Sequence, residues 1–168
     1  MTLAPTLAPL ATALRGETAA AHRDAENTRF MSSLVEGALG RAEVIDLTAQ
    51  YWFIYGALER AVRRLAADPI AAAVADAHHY VRYLGDIAGG QVIARMLSTA
   101  YGLSSEELNF YDFSAVGKIP PFRAAYKAAL DSLDLTPAQR EQLLRSATGA
   151  FAHNQAVFRE LEQRSERL

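Results

Sequence analysis

The stretch AHHYVRYLGDIAGGQ, residues 77–91, decides the fold, because it is an apolar helical pattern that contains three glycines. Each glycine weakens a helix by about 1 kcal/mol relative to alanine, so three of them need a physical reason. Gly85 and Gly89 fall on one helix face, and Arg82 and Asp86 share that face. A face without side chains lets a flat molecule approach the backbone beside these charges. The alternative is close helix–helix packing with an Arg82–Asp86 ion pair.

Helical periodicity also dominates outside this stretch. Leucine and alanine recur at helical spacing, whereas the alternation typical of strands is scarce. The adjacent Gly89 and Gly90 permit a kink in their helix. Ser104 or Ser105, followed by two glutamates, indicates a further helix start. We therefore expect one all-α domain over residues 1–168, with a short tail at about 1–6. Its predicted helices cover residues 7–26, 41–66, 70–101, about 120–133, and 137 to about 164.

Composition excludes several functional classes. The chain has 168 residues, with 17 Lys and Arg against 19 Asp and Glu, which gives a net charge of −2. This balance argues against nucleic-acid binding, which requires a basic surface. The absence of cysteine excludes disulfides, thiolate metal sites and cysteine nucleophiles. No apolar stretch reaches the length of a membrane span, and the N-terminal stretch lacks the positive region of a signal peptide. A cytoplasmic location is the expectation.

Among the four histidines, His22 has the most informative surroundings. Glu26 lies four residues later, so both side chains occupy one helix face. Glu26 can accept a hydrogen bond from one imidazole nitrogen and leave the other free to bind a metal ion. Arg15 lies two turns earlier on the same stripe, roughly 10 Å away. The alternative is an ordinary surface His–Glu pair with an exposed arginine.

Other metal and catalytic motifs fit the chain less well. A ferritin-like di-iron site needs Glu-x-x-His pairs, and none of the histidines has a glutamate three residues before it. HExxH, GxSxG and phosphate-loop motifs are also absent from the sequence. His78 and His79 point to different helix faces, and His153 lies in the last helix. These three histidines are expected to be structural.

Four segments together resemble the bacterial, biliverdin-forming heme oxygenases. The resemblance covers nearly the whole chain, and AHHYVRYLGDIAGGQ is its most specific motif. The family places heme between a proximal helix and a kinked distal helix, so the resemblance implies that arrangement here. The matching segments, in the order of the family, are LRGETAAAHRDAENTRFM at 14–31, YWFIYGALERAV at 51–62, AHHYVRYLGDIAGGQVIARM at 77–96 and FAHNQAVFREL at 151–161.

The resemblance also implies roles for individual residues. His22 matches the proximal iron ligand, and Glu26 matches its hydrogen-bond partner. Gly85 and Gly89 match the distal glycines over which the heme lies. Asp86 matches the carboxylate that orders distal water. The other matched residues are Arg82 and Tyr55 in the distal hydrogen-bond network, and Arg15, Tyr80, Arg123 and Lys127 around the heme propionates.

The implied reaction is the oxidation of heme, both substrate and cofactor, to biliverdin, carbon monoxide and ferrous iron. It uses O₂ and electrons from a ferredoxin- or flavin-type reductase, and we expect a monomer, with a dimer as the alternative. One departure stands out: about fourteen residues separate Val62 from Ala77, where the family has another helix or two. A non-catalytic heme carrier and a di-metal oxidase of similar architecture are the rival functions.

Overall fold

The computed structural model describes residues 7–65 and 77–167. Within these ranges the chain contains α-helices and no strands, which confirms the all-α prediction. No helix in these ranges is long and apolar enough to cross a membrane. The helices are α1 (Leu10–Glu26), α2 (Arg29–Val35), α3 (Arg41–Leu65), α4 (Gly85–Tyr101), α5 (Ile119–Asp131) and α6 (Pro137–Ser165). A π-helical segment covers Tyr80–Leu84, and two 3₁₀ turns cover Asn109–Tyr111 and Ser114–Val116.

Most predicted helix boundaries agree with the structure to within a few residues. The first helix begins at Leu10 and not at Leu7, since Pro9 occupies the N-cap position with an extended backbone. The last helix begins as predicted, because Thr136 and Gln139 form a capping box. The predicted tail at 1–6 lies outside the described residues, as does 66–76, where the third helix was expected to begin.

The prediction of a helix that starts at Ser104 or Ser105 is wrong. The capping contacts exist, because Glu107 Oε2 accepts hydrogen bonds from the Ser104 amide at 2.9 Å and from its hydroxyl at 3.0 Å. The chain nevertheless forms a turn and then the first 3₁₀ turn. Phe110 stacks on Tyr51 of α3 with ring centroids 5.5 Å apart. We infer that this aromatic packing overrides the local helical signal.

The core is centred on the contact between α1 and α6, which is the most extensive helix pair in the described structure. Leu14 of α1 is fully buried, and Ala147 and Ala150 of α6 are buried in the same core. Small side chains let the two helix backbones approach closely. Thr18 is buried as well, and its hydroxyl donates to the Leu14 carbonyl at 2.7 Å. This rigid pair carries His22 on α1 and Asn154 on α6.

The helix that contains the glycines changes from π-helical to α-helical geometry between Leu84 and Gly85, about one turn before Gly89 and Gly90. The π-helical segment ends at Leu84, and α4 then continues without interruption through both glycines. A π segment rotates the residues on its two sides relative to each other and is common at functional sites. Among the described residues, α1 and α4 share no extensive packing interface, and both are held by other elements. Within residues 7–65 and 77–167, no packed helix lies against a Cβ position at Gly85 or Gly89 of α4.

Candidate active site

Arg82 forms the centre of a buried polar cluster. Its side chain is only 8% exposed. The guanidinium carbon lies 4.4 Å from the centre of the Tyr51 ring and 5.3 Å from that of Tyr55, so two aromatic faces of α3 stabilise the charge. Arg82 Nη1 also donates to Asn154 Oδ1 on α6 at 3.3 Å. The π-helical segment, α3 and α6 thus meet at this one cation.

Asp86 is the acidic partner in the cluster. Its Oδ2 lies 3.4 Å from Arg82 Nη2 and accepts a hydrogen bond from the Tyr55 hydroxyl. Burial raises the pKa of Asp86, although Arg82 and the Tyr55 hydrogen bond oppose the shift. The pKa of Arg82 is also raised, because its acidic and phenolic neighbours outweigh the effect of burial. The arrangement holds a permanent cation beside a carboxyl group that takes up protons more readily than an exposed aspartate.

The two cluster tyrosines remain protonated. Burial raises the pKa of Tyr51 to about 12, and burial together with the charge of Asp86 raises the pKa of Tyr55. Tyr55 can therefore act as a hydrogen-bond donor to Asp86 at any physiological pH. Sequence reasoning found Tyr55 but missed Tyr51 and Asn154. The four-residue spacing of Tyr51 and Tyr55 on α3 was an available signal, whereas the sequence gives no local sign of Asn154.

The glycines of α4 have two different environments. A Cβ atom added at Gly85 or Gly89 would meet no atom within 4 Å outside the local helix backbone. A Cβ atom at Gly90 would lie 2.9 Å from Phe113 and 3.0 Å from Tyr111. Gly90 is therefore explained by packing. Gly85 and Gly89 border open space on the side of α4 that carries Asp86, as the spacing predicted.

His22 and Glu26 adopt the predicted geometry on α1. His22 Nδ1 lies 3.2 Å from Glu26 Oε2, and the two side chains are 51% and 62% exposed. A carboxylate only accepts hydrogen bonds, so a hydrogen bond across this contact requires the proton on Nδ1. The imidazole is supported on one side by Phe151 of α6, with ring centroids 5.4 Å apart at 70°. Its Nε2 atom is therefore the one suited to bind a metal ion.

The residues predicted around the propionates lie on three elements. Tyr80 is half-buried in the π-helical segment, and burial raises its pKa against the opposing charge of Arg15 on α1. Arg15 and Tyr80 are therefore within electrostatic range of each other. Arg123 and Lys127 are half-buried one turn apart on α5. Arg123 Nε is buried and has no hydrogen-bond partner among the described residues.

Comparison with known proteins identifies the family. A sequence profile of the heme oxygenase family matches residues 8–77 and 73–160. The chain belongs to the heme oxygenase family. It is 27% identical to heme oxygenase 1 of Homo sapiens over 207 positions, covering 92% of this chain and 72% of that protein. It is 25% identical to heme oxygenase 1 of Nostoc sp., covering 91% of this chain and 86% of that protein.

Solved heme oxygenase structures have the same fold. Heme oxygenase-1 of Synechocystis, crystallised with heme, matches with a TM-score of 0.85 and 24% identity, covering 95% of each chain. Heme oxygenase-2 of Synechocystis, in complex with heme and NO, matches with a TM-score of 0.84 and 25% identity, covering 95% of this chain and 88% of that one. The architecture expected from the resemblance is confirmed.

The alignments also bear on the short connection after α3. The alignment with the human protein extends over 207 positions, although this chain has only 168 residues. The relative therefore has residues without a counterpart here. The two segments that match the family profile meet at residues 73–77, within the connection where the sequence departs from the family.

The two glycine environments lead to opposite predictions for the heme-free protein. Gly89→Ala should raise the free energy of unfolding by about 0.5–1 kcal/mol, because alanine favours the helix and its methyl group meets nothing. Gly90→Ala should lower it by about 1–3 kcal/mol, because its methyl group overpacks the aromatic rings. Urea unfolding of both variants measures the difference. Equal effects of the two substitutions would contradict the assignment of an open face at Gly89.

His78 and His153 form a histidine pair between the residues before the π-helical segment and α6. Their rings are stacked, with centroids 6.3 Å apart. Burial, and then the charge of His153, lower the pKa of His78 below its ordinary value of 6.5. The unfolded chain therefore binds a proton at His78 at a higher pH than the folded protein does. Protonation of His78 therefore favours the unfolded chain over the folded protein.

We expect the fold to lose stability on acidification partly through His78. The contribution of His78 to the free energy of unfolding is fully present above the pKa of about 6.5 that this histidine has in the unfolded chain. The contribution is lost as the pH falls below that value. The variant His78→Gln should show a smaller decrease in unfolding free energy between pH 7.5 and 5.5 than the parent protein. Urea unfolding at the two pH values tests this. A parallel decrease in both proteins would show that His78 contributes nothing.

Proposed function

We propose that the chain is a heme oxygenase that oxidises heme to biliverdin, carbon monoxide and ferrous iron. The observation that carries the proposal is the buried Arg82–Asp86–Tyr55 cluster beside the open glycine face of α4. Family membership supports the same reaction. O₂ and electrons from a ferredoxin- or flavin-type reductase are the other reactants. We place the reaction in the cytoplasm and expect the enzyme to work as a monomer.

The residues present fit a bound heme. The open space at Gly85 and Gly89 accepts a flat ring system against the backbone. His22, with Nδ1 lying 3.2 Å from Glu26 Oε2, offers Nε2 to the iron. The buried, unpartnered Nε of Arg123 fits a carboxylate ligand, since buried charged groups require hydrogen bonds. Arg15, Tyr80 and Lys127 would contact the propionates with Arg123.

The distal residues supply position and protons. Bound heme supplies the iron centre that reduces O₂ and the porphyrin edge that is oxidised. Asp86 holds a proton more readily than a free aspartate, so it can pass one to an ordered water on the glycine face. Tyr55 donates to Asp86 and orients its carboxylate. Arg82, held by Asn154, contacts the same carboxylate oxygen, Oδ2, and keeps the local charge balanced.

Substitution of His22 tests the proposed iron ligand. His22→Ala should abolish the histidine-ligated absorption spectrum of the hemin complex, because no imidazole would reach the iron. Added imidazole should partly restore that spectrum. The matched control is His153→Ala, which removes an exposed histidine outside the proposed site. An unchanged ferric spectrum in His22→Ala would remove His22 from the site.

Substitution of Asp86 tests the proton step. Asp86→Asn should bind hemin normally but form biliverdin about 100-fold more slowly or worse, the usual loss when a positioned proton donor is removed. Asp134→Asn, on the exposed α5–α6 connection, is the control. The measurements are hemin titration, and biliverdin absorbance with carbon monoxide release under reductant.

The outcomes of this experiment separate the functions. Full turnover in Asp86→Asn would exclude Asp86 from the mechanism. A parent protein that binds hemin but forms no biliverdin with any reductant would be a heme carrier. A folded parent protein that binds no hemin would overturn the proposed function itself.

A further inference from the structure

His79 links two elements that are distant in sequence. Its ring stacks on Tyr83 with centroids 4.1 Å apart and planes within 9°. Tyr126 of α5 lies nearly parallel to the same ring, with centroids 5.7 Å apart. A hydrogen bond of 2.8 Å joins His79 Nδ1 to the Tyr126 hydroxyl. The residues entering the π-helical segment are thereby joined to the middle of α5.

This link restricts the rotation of α5 about its axis. The C-terminal end of the helix is held separately, because Asp131 Oδ1 accepts a hydrogen bond from the Ala11 amide at 2.8 Å. α5 also packs against α1 and α4. A hydrogen bond near the middle of the helix adds a directional contact that restricts its rotation further. Tyr126 lies three residues after Arg123 and one before Lys127. Rotation of Tyr126 would therefore displace both basic side chains.

Arg123 and Lys127 are arranged to meet an anion. Both are half-buried, and Arg123 Nε is buried without a hydrogen-bond partner among the described residues. A buried guanidinium nitrogen is costly unless it binds an acceptor, and a carboxylate is the acceptor that a guanidinium matches best. Heme has two carboxylates on one edge of its ring. Fixing these carboxylates fixes the rotation of the ring about its iron.

We propose that His79 and Tyr126 are positioning residues that hold α5 so that Arg123 and Lys127 set the in-plane orientation of bound heme. The inference rests on the proposed function. The orientation determines which of the four meso bridges lies nearest the distal cluster, and therefore which biliverdin isomer forms. His79 acts through Tyr126 and α5 and does not contact the reacting atoms.

The test uses three substitutions in the full chain. Tyr126→Phe removes only the hydroxyl, and His79→Phe keeps an aromatic ring for stacking but loses the hydrogen bond. His79→Asn keeps a polar atom close to the position of Nδ1 and serves as the conservative variant. His78→Asn is the matched control, since the neighbouring histidine stacks on His153 of α6. Urea unfolding establishes that each variant is folded.

Two measurements report the heme orientation. Proton NMR of the ferric hemin complex distinguishes rotational isomers by their heme methyl signals, without turnover. Chromatography of the biliverdin isomers reports the bridge that is cut. Loss of one hydrogen bond shifts an equilibrium by about 2- to 10-fold. Tyr126→Phe and His79→Phe should shift the orientation and isomer ratios together by this factor, while His79→Asn and His78→Asn should remain close to the parent protein.

The possible failures are distinguishable. Unchanged orientation and isomer ratios in folded, hemin-binding Tyr126→Phe and His79→Phe would overturn the positioning role and leave the proposed function intact. An equal shift in His78→Asn would also overturn it, because the effect would not depend on the link to α5. Failure of the parent protein to bind hemin would instead overturn the proposed function.

Discussion

The burial of the Arg82 guanidinium is the constraint on which the rest of the site depends. An arginine that is 8% exposed loses most of its hydration, and the protein must replace it. Groups from several elements replace part of it: the ring faces of Tyr51 and Tyr55 on α3, the Asp86 carboxylate on α4 and the Asn154 amide on α6. Arg82 Nε and Nη2 have no hydrogen-bond partner among the described residues. Removing one partner would leave a buried charge under-satisfied, so these helices are held in a fixed relation.

The same constraint prepares Asp86 for its proposed role. Burial raises the pKa of this carboxyl group, while Arg82 and the Tyr55 hydroxyl limit the increase. An exposed aspartate would release its proton to solvent, and a fully apolar environment would hold the proton too firmly. The balance between desolvation and the neighbouring cation gives a carboxyl group whose proton affinity lies between these two cases. The open face at Gly85 and Gly89 places this group beside space for a ligand.

Much of this arrangement was predictable from local spacing in the sequence. The four-residue separations of His22 and Glu26, and of Arg82 and Asp86, predict pairs on one helix face, and both contacts exist. The resemblance added Tyr55, which bonds to Asp86. Helical periodicity predicted the all-α class, because the repeat of apolar residues is a property of each helix alone. The Ser104 start failed because distant aromatic packing decided that segment.

Tertiary structure alone decided which groups meet across helices. The sequence contains three glycines in one helix, but only the positions of Tyr111 and Phe113 show that Gly90 serves packing and the other two border open space. Asn154 and His79 find their partners 72 and 47 residues away, at distances that no local pattern encodes. Spacing along a helix determines which side chains share a face. Only the packing of helices determines what each face meets, because that depends on the whole core at once.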